Sequence, residues 1–409
     1  MHEQAGVYED TLIADEEEEI EHLSTAGFTQ VVVSGSDWTA ETVLSQLVRG
    51  NININPGFQR RDAWKRPRKS RFIESLILDL PVPQIILAEK KDARGSFIVL
   101  DGKQRLLSIL QFTGNAPEED PNNRFGLSGL EVRDDLRRKR YSQLQSDPEL
   151  EADLRAFENK TIRTVVIRNW PDLEFLHMVF RRLNTGSVVL SSQELRQAMY
   201  PGAYSDFLDS RSADSSGLQQ LLGIRCPDPR MRDVELLARH LAFVTRLADY
   251  RGRMKNFLDE SAEELSSQWD TRESELRQAA DQFEMAIEAM ISMLGASDAA
   301  RKPESKNLNK AVLDALAFYL RDEQIRRAVA SHQEEFRDAY SSLFATGHRF
   351  AEAVESDTAG IPNTFARLDE MASLLKRVTG LDVPSPELVE DPMDSEKTRR
   401  RIVHAGFGT

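Results

Sequence analysis

The spacing of apolar residues divides the chain into two halves of different character. In the first half, short apolar runs of strand length, such as T-I-R-T-V-V-I-R at 161–168, alternate with stretches of helical period. From about Asp228 the spacing is helical almost throughout, as in Leu236, Leu237 and Leu241. The pattern predicts an α+β half with a mixed sheet, followed by an all-α domain of four to six helices.

Local signals give the order of elements in the first half. Gly and Pro residues mark the ends of the periodic stretches, and Ser191 with Glu194 forms a capping box that starts a helix. The predicted elements are a strand at 31–33, a helix from Asp37 or Thr39 to Gly50, a helix at 67–79, strands at 84–89, 96–100 and 161–168, and a helix from Lys103.

The same punctuation gives domain boundaries. We expect an acidic flexible tail at 1–24, an α+β domain at 25–200, a linker at 201–227, a helical domain at 228–380 and a C-terminal tail at 381–409.

The most informative segment is S-F-I-V-L-D-G-K-Q-R-L-L-S-I-L at 96–110, where an apolar run stops at Asp101-Gly102 and a helical pattern begins at Lys103. This pattern predicts a strand, a tight turn and a helix. Such a turn places the free N–H groups of a helix start beside the side chains of Asp101, Gln104 and Arg105, which is a suitable place for a phosphate. Taken alone, the turn would be better explained as a solvated connection with surface charges.

Three other segments accompany the turn: I-N-P-G-F-Q-R-R-D-A-W at 54–64, L-P-V-P-Q-I at 80–85 and F-R-R-L-N-T-G-S-V-V-L-S-S-Q-E-L-R at 180–196. In this order they resemble a bacterial family, a domain of unknown function whose hallmark is D-G-Q-Q-R. The family includes the N-terminal part of the GmrSD modification-dependent restriction enzymes and the defence protein SspE. The resemblance covers roughly residues 38–200.

The family is similar in turn to the ParB/sulfiredoxin superfamily, so the resemblance implies a ParB/sulfiredoxin-like N-terminal domain. The superfamily's third element would correspond here to Arg182, Asn184, Leu190 and Glu194. The chain departs from the family at Lys103, where Gln is more common. This departure bears on substrate preference more than on membership.

The resemblance implies a site that binds a nucleoside triphosphate and hydrolyses it with Mg²⁺. The expected catalytic residues are Asp101, Gln104, Arg105 and Gln59: Asp101 would hold the metal, Arg105 would contact the phosphates, and Gln59 or Gln104 would orient water. The expected nucleotide contacts are Arg60, Gly102, Lys103, Arg182 and Asn184. An alternative role for Arg60 and Asp101 is a structural ion pair that ties the first segment to the turn.

Charge is unevenly distributed along the chain. The formal net charge is −14, but the first 23 residues hold nine carboxylates and no Lys or Arg, so the other residues together carry about −5. A basic run follows the first motif segment, and it is either a solvated face or a DNA contact through Arg61, Lys65, Arg66, Arg68 and Lys69. We expect a second basic cluster at 137–140 to be plain surface.

Several kinds of protein find no support in the sequence. Cys226 is the sole cysteine, so no intramolecular disulfide can form. No apolar run is long enough for a membrane span, and we expect a cytoplasmic protein without a membrane partner. The seven histidines form no H-x-x-x-H or H-E-x-x-H pair, and neither a P-loop nor a Rossmann fingerprint occurs. An HNH nuclease module is therefore not expected.

Three hypotheses remain open. The first is a nucleotide-binding and NTP-hydrolysing module of a bacterial DNA-directed anti-phage or restriction-like system. The second is a non-enzymatic DNA-binding adaptor that recruits a separately encoded effector protein. The third, a nickase built on the ParB-like fold, has the least support because no nuclease motif is present. Self-association into a homo-oligomer is compatible with all three.

Overall fold

A computed structural model describes residues 30–52, 54, 64–118, 120–172, 175–176, 178–179, 191–303, 305–390 and 400–404. The chain forms two compact units. The N-terminal unit comprises residues 20–201 and 229–231, and the second unit includes residues 202–228 and 232–409.

The N-terminal unit is built around a four-stranded mixed sheet. Its described elements follow the predicted order closely: β1 (Val32–Thr39), α1 (Ala40–Val48), α2 (Arg66–Ile77), β2 (Ile85–Lys90), β3 (Ala93–Asp101), α3 (Lys103–Phe112), α4 (Tyr141–Ser146), α5 (Glu151–Asn159), β4 (Thr161–Arg168) and α6 (Ser192–Met199). The strand order is β1-β4-β2-β3, with β2 and β4 parallel and the two outer pairs antiparallel. The mixed sheet that the sequence predicts is therefore confirmed.

Both faces of the sheet carry apolar side chains. Along β3, Phe97 and Val99 belong to one buried cluster, whereas Ile98 and Leu100 belong to another. The first cluster also includes residues of α1, α2, α3 and α5, and the second includes Leu195 of α6. Because successive residues of a strand point to opposite faces, a continuous apolar run is the expected pattern for a strand covered on both sides. The run ends at the first polar residue, Asp101, where β3 ends.

Capping residues fix the helix starts as the sequence predicts. The Thr39 hydroxyl accepts a hydrogen bond from the amide of Thr42 at 3.1 Å, which starts α1. At α6, Ser191 accepts from the Glu194 amide, and the Glu194 carboxylate accepts from the Ser191 amide. The predicted capping box is therefore present.

The second unit is mostly helical. Its described helices are α7 (Ala203–Ala213), α8 (Ser216–Leu222), α9 (Arg232–Arg246), α10 (Met254–Ser267), α11 (Trp269–Leu294), α12 (Lys310–Leu320), α13 (Glu323–Ser331), α14 (Gln333–Ser342), α15 (Arg349–Ala353) and α16 (Ile361–Thr379). Its core includes His240, which stacks on Phe283 with the ring centroids 4.5 Å apart. Burial holds the pKa of His240 well below its usual value, as expected of a core histidine.

The second unit differs from the sequence prediction in three places. Eight described helices lie between residues 232 and 379, where four to six were expected. The number is higher because short non-helical turns interrupt several of the long helical patterns. Residues 201–227, expected as a linker, contain α7 and α8. The expected C-terminal tail contains a two-stranded hairpin, β5 (Pro386–Glu390) and β6 (Arg400–His404). Within the described residues, no helix has the length and apolar character that crossing a lipid bilayer requires.

Candidate functional site

The turn between β3 and α3 requires glycine at position 102. Gly102 has φ +104° and is the N-cap of α3, and because glycine has no side chain it caps none of the first amide groups of this helix. A Cβ atom at this position would lie 3.1 Å from Cγ1 of Ile85 and 3.4 Å from Nε and Nη2 of Arg105. The backbone of the turn thus passes directly over the Arg105 guanidinium.

Arg105 is buried beneath this turn, with 6% of its surface exposed. Its Nη2 donates to Oδ2 of Asp101 at 2.9 Å and to the backbone oxygen of Gln84 at 2.9 Å. Its Nε is also buried and has no hydrogen-bond partner among the described residues. A buried guanidinium N–H without an acceptor costs free energy, which an incoming acceptor would recover. Gln84 lies in the second motif segment, so this contact joins that segment to the turn.

Gln104 joins the turn to the first motif segment. Its Oε1 accepts a hydrogen bond from the backbone amide of Trp64 at 3.2 Å, just before α2 begins. The Trp64 ring packs edge-on against Phe72 and carries the Arg68 guanidinium 4.6 Å from a ring centroid. The Trp64 amide therefore occupies one acceptor position of Gln104, while the Gln104 side chain as a whole is partly exposed.

Lys103 joins the turn to the third motif segment. Its Nζ lies 2.7 Å from Oε1 of Glu194, and the two side chains are only 7% and 5% exposed. The other carboxylate oxygen of Glu194 accepts from the Ser191 amide at 2.7 Å, so a single carboxylate serves both the ion pair and the cap of α6. All four motif segments therefore meet at residues 101–105.

The charges at the turn cancel in two internal pairs. Asp101 is paired with Arg105, and Glu194 is paired with Lys103. Any attraction for an anion at this place would therefore come from the amides at the start of α3, which the N-cap glycine leaves uncapped, and from cations outside the two pairs. A phosphate that reaches Arg105 would also compete with the Asp101 carboxylate for the guanidinium.

The basic run at the start of α2 separates into surface and interior residues. Lys65, Arg66 and Arg68 are exposed. Lys69 is fully buried, and its Nζ donates to Oε1 of Gln111 at 2.6 Å. The expectation that Lys69 contacts DNA is therefore wrong, because the residue lies on the apolar face of α2. Burial lowers the pKa of Lys69 to about 8, against the opposing effect of the nearby Asp120 carboxylate.

The remaining predicted site residues, Gln59, Arg60, Arg61, Arg182 and Asn184, lie outside the described residues. Their place beside the turn, and the alternative pairing of Arg60 with Asp101, stay predictions. Among the residues that the structure does describe, no three His, Cys, Asp or Glu side chains are grouped closely enough to hold a metal ion. Asp101 is the carboxylate nearest the uncapped start of α3 in sequence, and its side chain is 22% exposed.

Two contacts at the turn do not follow from the sequence. Arg105 binds a backbone carbonyl, which no side-chain pattern reveals, and Lys103 pairs with Glu194 from 91 residues away. The only sequence signal at Glu194 is its capping box, which indicates a helix start and not a long-range partner.

Comparison with known families agrees with the resemblance stated from the motifs. Residues 44–201 match the family model described as the GmrSD restriction endonuclease N-terminal domain. The matched range contains the turn and its described partners Trp64, Gln84 and Glu194, and it ends at the boundary between the two units. No curated protein and no solved structure matches the chain. The N-terminal unit therefore resembles the N-terminal domain of GmrSD-type restriction enzymes.

Proposed function

We propose that the N-terminal unit binds a nucleoside triphosphate at the 101–105 turn and hydrolyses it, as part of a restriction-like defence module that responds to DNA. The observation that carries the proposal is the contact of three other motif segments with one turn, above a buried arginine whose Nε has no described acceptor. Chain segments far apart in sequence have no local reason to meet at a solvated connection.

The chemistry of the turn suits a phosphate. The uncapped start of α3 offers backbone N–H groups and the positive end of the helix dipole. A planar guanidinium can donate to two phosphate oxygens at once, so Arg105 would bind the phosphates by exchanging its bond to Asp101 for bonds to the nucleotide. Gln104 or Gln59 is proposed to orient the attacking water, and Arg60, Arg182 and Asn184 to contact the nucleotide.

Mg²⁺ is part of the proposal, with Asp101 as its protein ligand. Mg²⁺ commonly binds through one or two carboxylates together with substrate phosphates and water, so a single carboxylate at the turn is compatible with it. When bound, the ion would neutralise charge on the phosphates. When the bond between Asp101 and Arg105 breaks, the Asp101 carboxylate would be available to Mg²⁺ and the Arg105 guanidinium to the phosphates.

The test is release of inorganic phosphate from a panel of the common triphosphates, with and without duplex DNA. Arg105→Ala should lower the rate by about a hundredfold or more, and Arg105→Lys should recover little, since an ammonium is a point charge. The control is Arg138→Ala, which removes an exposed arginine of the second basic cluster and should be silent. Absence of turnover by the wild type with every triphosphate would refute hydrolysis, and equal activity of Arg105→Ala and Arg138→Ala would refute the site.

A non-enzymatic DNA adaptor is the second candidate, and one observation favours it. The exposed cations Lys65, Arg66 and Arg68 lie at the start of α2, where the helix has no acidic residue in its first turn and no side-chain cap among the described residues. Cations at the positive end of a helix are unfavourable unless an anion is near. Triple substitution of these residues by Ala should weaken duplex binding and reduce its salt dependence. If the protein is an adaptor, the wild type should bind duplex DNA without hydrolysing any triphosphate.

A further inference from the structure

We propose that Lys103 is a positioning residue and not a nucleotide ligand: its buried ion pair with Glu194 fixes the start of α6 against the start of α3. This inference rests on the proposed function, because the reaction it positions is nucleotide turnover at the turn.

The first argument is that the ammonium of Lys103 already has an anionic partner in the protein interior. Nζ lies 2.7 Å from Oε1 of Glu194, and both side chains are more than nine-tenths buried. To contact a phosphate, Lys103 would have to leave Glu194 as a buried carboxylate without its cation, which is strongly unfavourable. Arg105 differs, because Asp101 is partly exposed and its carboxylate can be solvated when the guanidinium leaves it.

The second argument is the double use of the Glu194 carboxylate. Oε1 faces Lys103, while Oε2 accepts from the Ser191 amide, and the Ser191 hydroxyl accepts from the Glu194 amide. These bonds hold the carboxylate in one orientation, so Lys103 is bonded to the first turn of α6 itself and not to a flexible side chain. Ser191 follows closely after Arg182 and Asn184, the predicted nucleotide contacts of the third motif.

The pair therefore fixes the distance between the start of α6 and the start of α3. Small misplacements of catalytic groups lower the rate of a reaction steeply, whereas loss of a direct substrate contact raises KM. A glutamine at position 103 can also donate a hydrogen bond to Glu194 through its amide, without a charge. A hydrogen bond to the Glu194 carboxylate is then the feature that position 103 must provide, and the charge of Lys103 makes that bond stronger.

The experiment compares Lys103→Gln with Lys103→Met in steady-state triphosphate hydrolysis by the full chain. A positioning role predicts that Lys103→Met lowers kcat about tenfold or more with KM within about twofold of the wild type, and that Lys103→Gln restores most of kcat. A nucleotide ligand predicts a raised KM in both variants, since neither carries a charge; that result would overturn the inference.

Unfolding measurements show whether the two residues act as a pair. Lys103→Met should lower the denaturation midpoint in the wild-type background, and this effect should nearly disappear in a Glu194→Met background, where the carboxylate is gone. Equal effects in both backgrounds would overturn the inference. If the wild type turns over no triphosphate, the proposed function fails and the positioning role fails with it. If it turns over and only the Lys103→Gln rescue is missing, the proposed function stands and the positioning role alone is lost.

Discussion

Substitution of Gly102 by alanine tests whether the turn is built around the close approach of its backbone to Ile85 and Arg105. At φ +104°, a residue with a Cβ is strained by about 1–2 kcal/mol relative to glycine. The new methyl group would lie 3.1 Å from Cγ1 of Ile85, which is itself buried, and 3.4 Å from two nitrogens of Arg105. Alanine also restricts the unfolded chain, which offsets about 0.4–1 kcal/mol of the strain.

Crowding of this kind in a packed region typically costs about 1–3 kcal/mol, so we expect Gly102→Ala to destabilise the turn by about 2–3 kcal/mol in total. The matched control is Gly50→Ala. Gly50 also has a positive φ, of +73°, but no described atom lies within 4 Å of the position that an alanine methyl group would take there. The control therefore carries the strain without the crowding, and we expect a cost of about 1 kcal/mol.

The assay is native-state hydrogen exchange read by mass spectrometry, because it reports the opening free energy of each segment in a chain of two units. Peptides that cover residues 93–112 should exchange faster in Gly102→Ala, and those at the end of α1 should respond to Gly50→Ala. If the two variants lose equal local stability, the contacts with Ile85 and Arg105 contribute nothing and the turn is not built around them.

The other predictions concern three polar residues of the N-terminal unit, Glu74, Lys69 and Gln104. Burial alone would raise the pKa of Glu74, but its carboxylate accepts three backbone hydrogen bonds from residues 131–133, which hold the pKa below its usual value. Glu74→Gln should therefore cost about 1–3 kcal/mol and speed exchange of the Val132 amide, and an unchanged exchange rate would contradict this. Lys69 has a folded pKa of about 8 against 10.5, so the unfolded state binds more protons between these values. Wild-type stability should rise between pH 8 and 10.5 by up to about 3 kcal/mol relative to Lys69→Met, whereas parallel pH curves would exclude the shift. Gln104→Ala should release the Trp64 amide and change Trp64 emission, whereas Gln104→Glu, which keeps the acceptor, should not.

The elements that the sequence predicts well are those with local causes. The capping box of Ser191 and Glu194, the cap of α1 and the Asp101-Gly102 turn each depend on a few adjacent residues. All three are present, and Thr39 is the one of the two expected caps of α1 that the structure shows. The prediction of a linker at 201–227 fails, because Asp and Ser interrupt the apolar spacing there, yet Phe207 and Leu208 are buried in α7. Tertiary packing outweighs a weak local pattern in this segment.

The sequence predicts which segments meet at residues 101–105, but not the contacts that join them. The motif order indicates that the segments belong together, and Trp64, Gln84 and Glu194 each contact a residue of this turn. Pairing over tens of residues leaves no local signal, so the partners of Lys103 and Arg105 could not be predicted from the sequence. The prediction for Lys69 fails because a basic run suggests surface, while its position on the helix puts it inside.

Nucleotide binding at the 101–105 turn is tested most directly by a crystal structure of the chain with a non-hydrolysable triphosphate and Mg²⁺. We expect phosphate oxygens within hydrogen-bond distance of the amides at the start of α3, with the Arg105 guanidinium bonded to phosphate in place of Asp101 and with Lys103 still paired to Glu194. A fully occupied nucleotide bound elsewhere, with the Arg105–Asp101 pair intact, would show that the turn is not the nucleotide site.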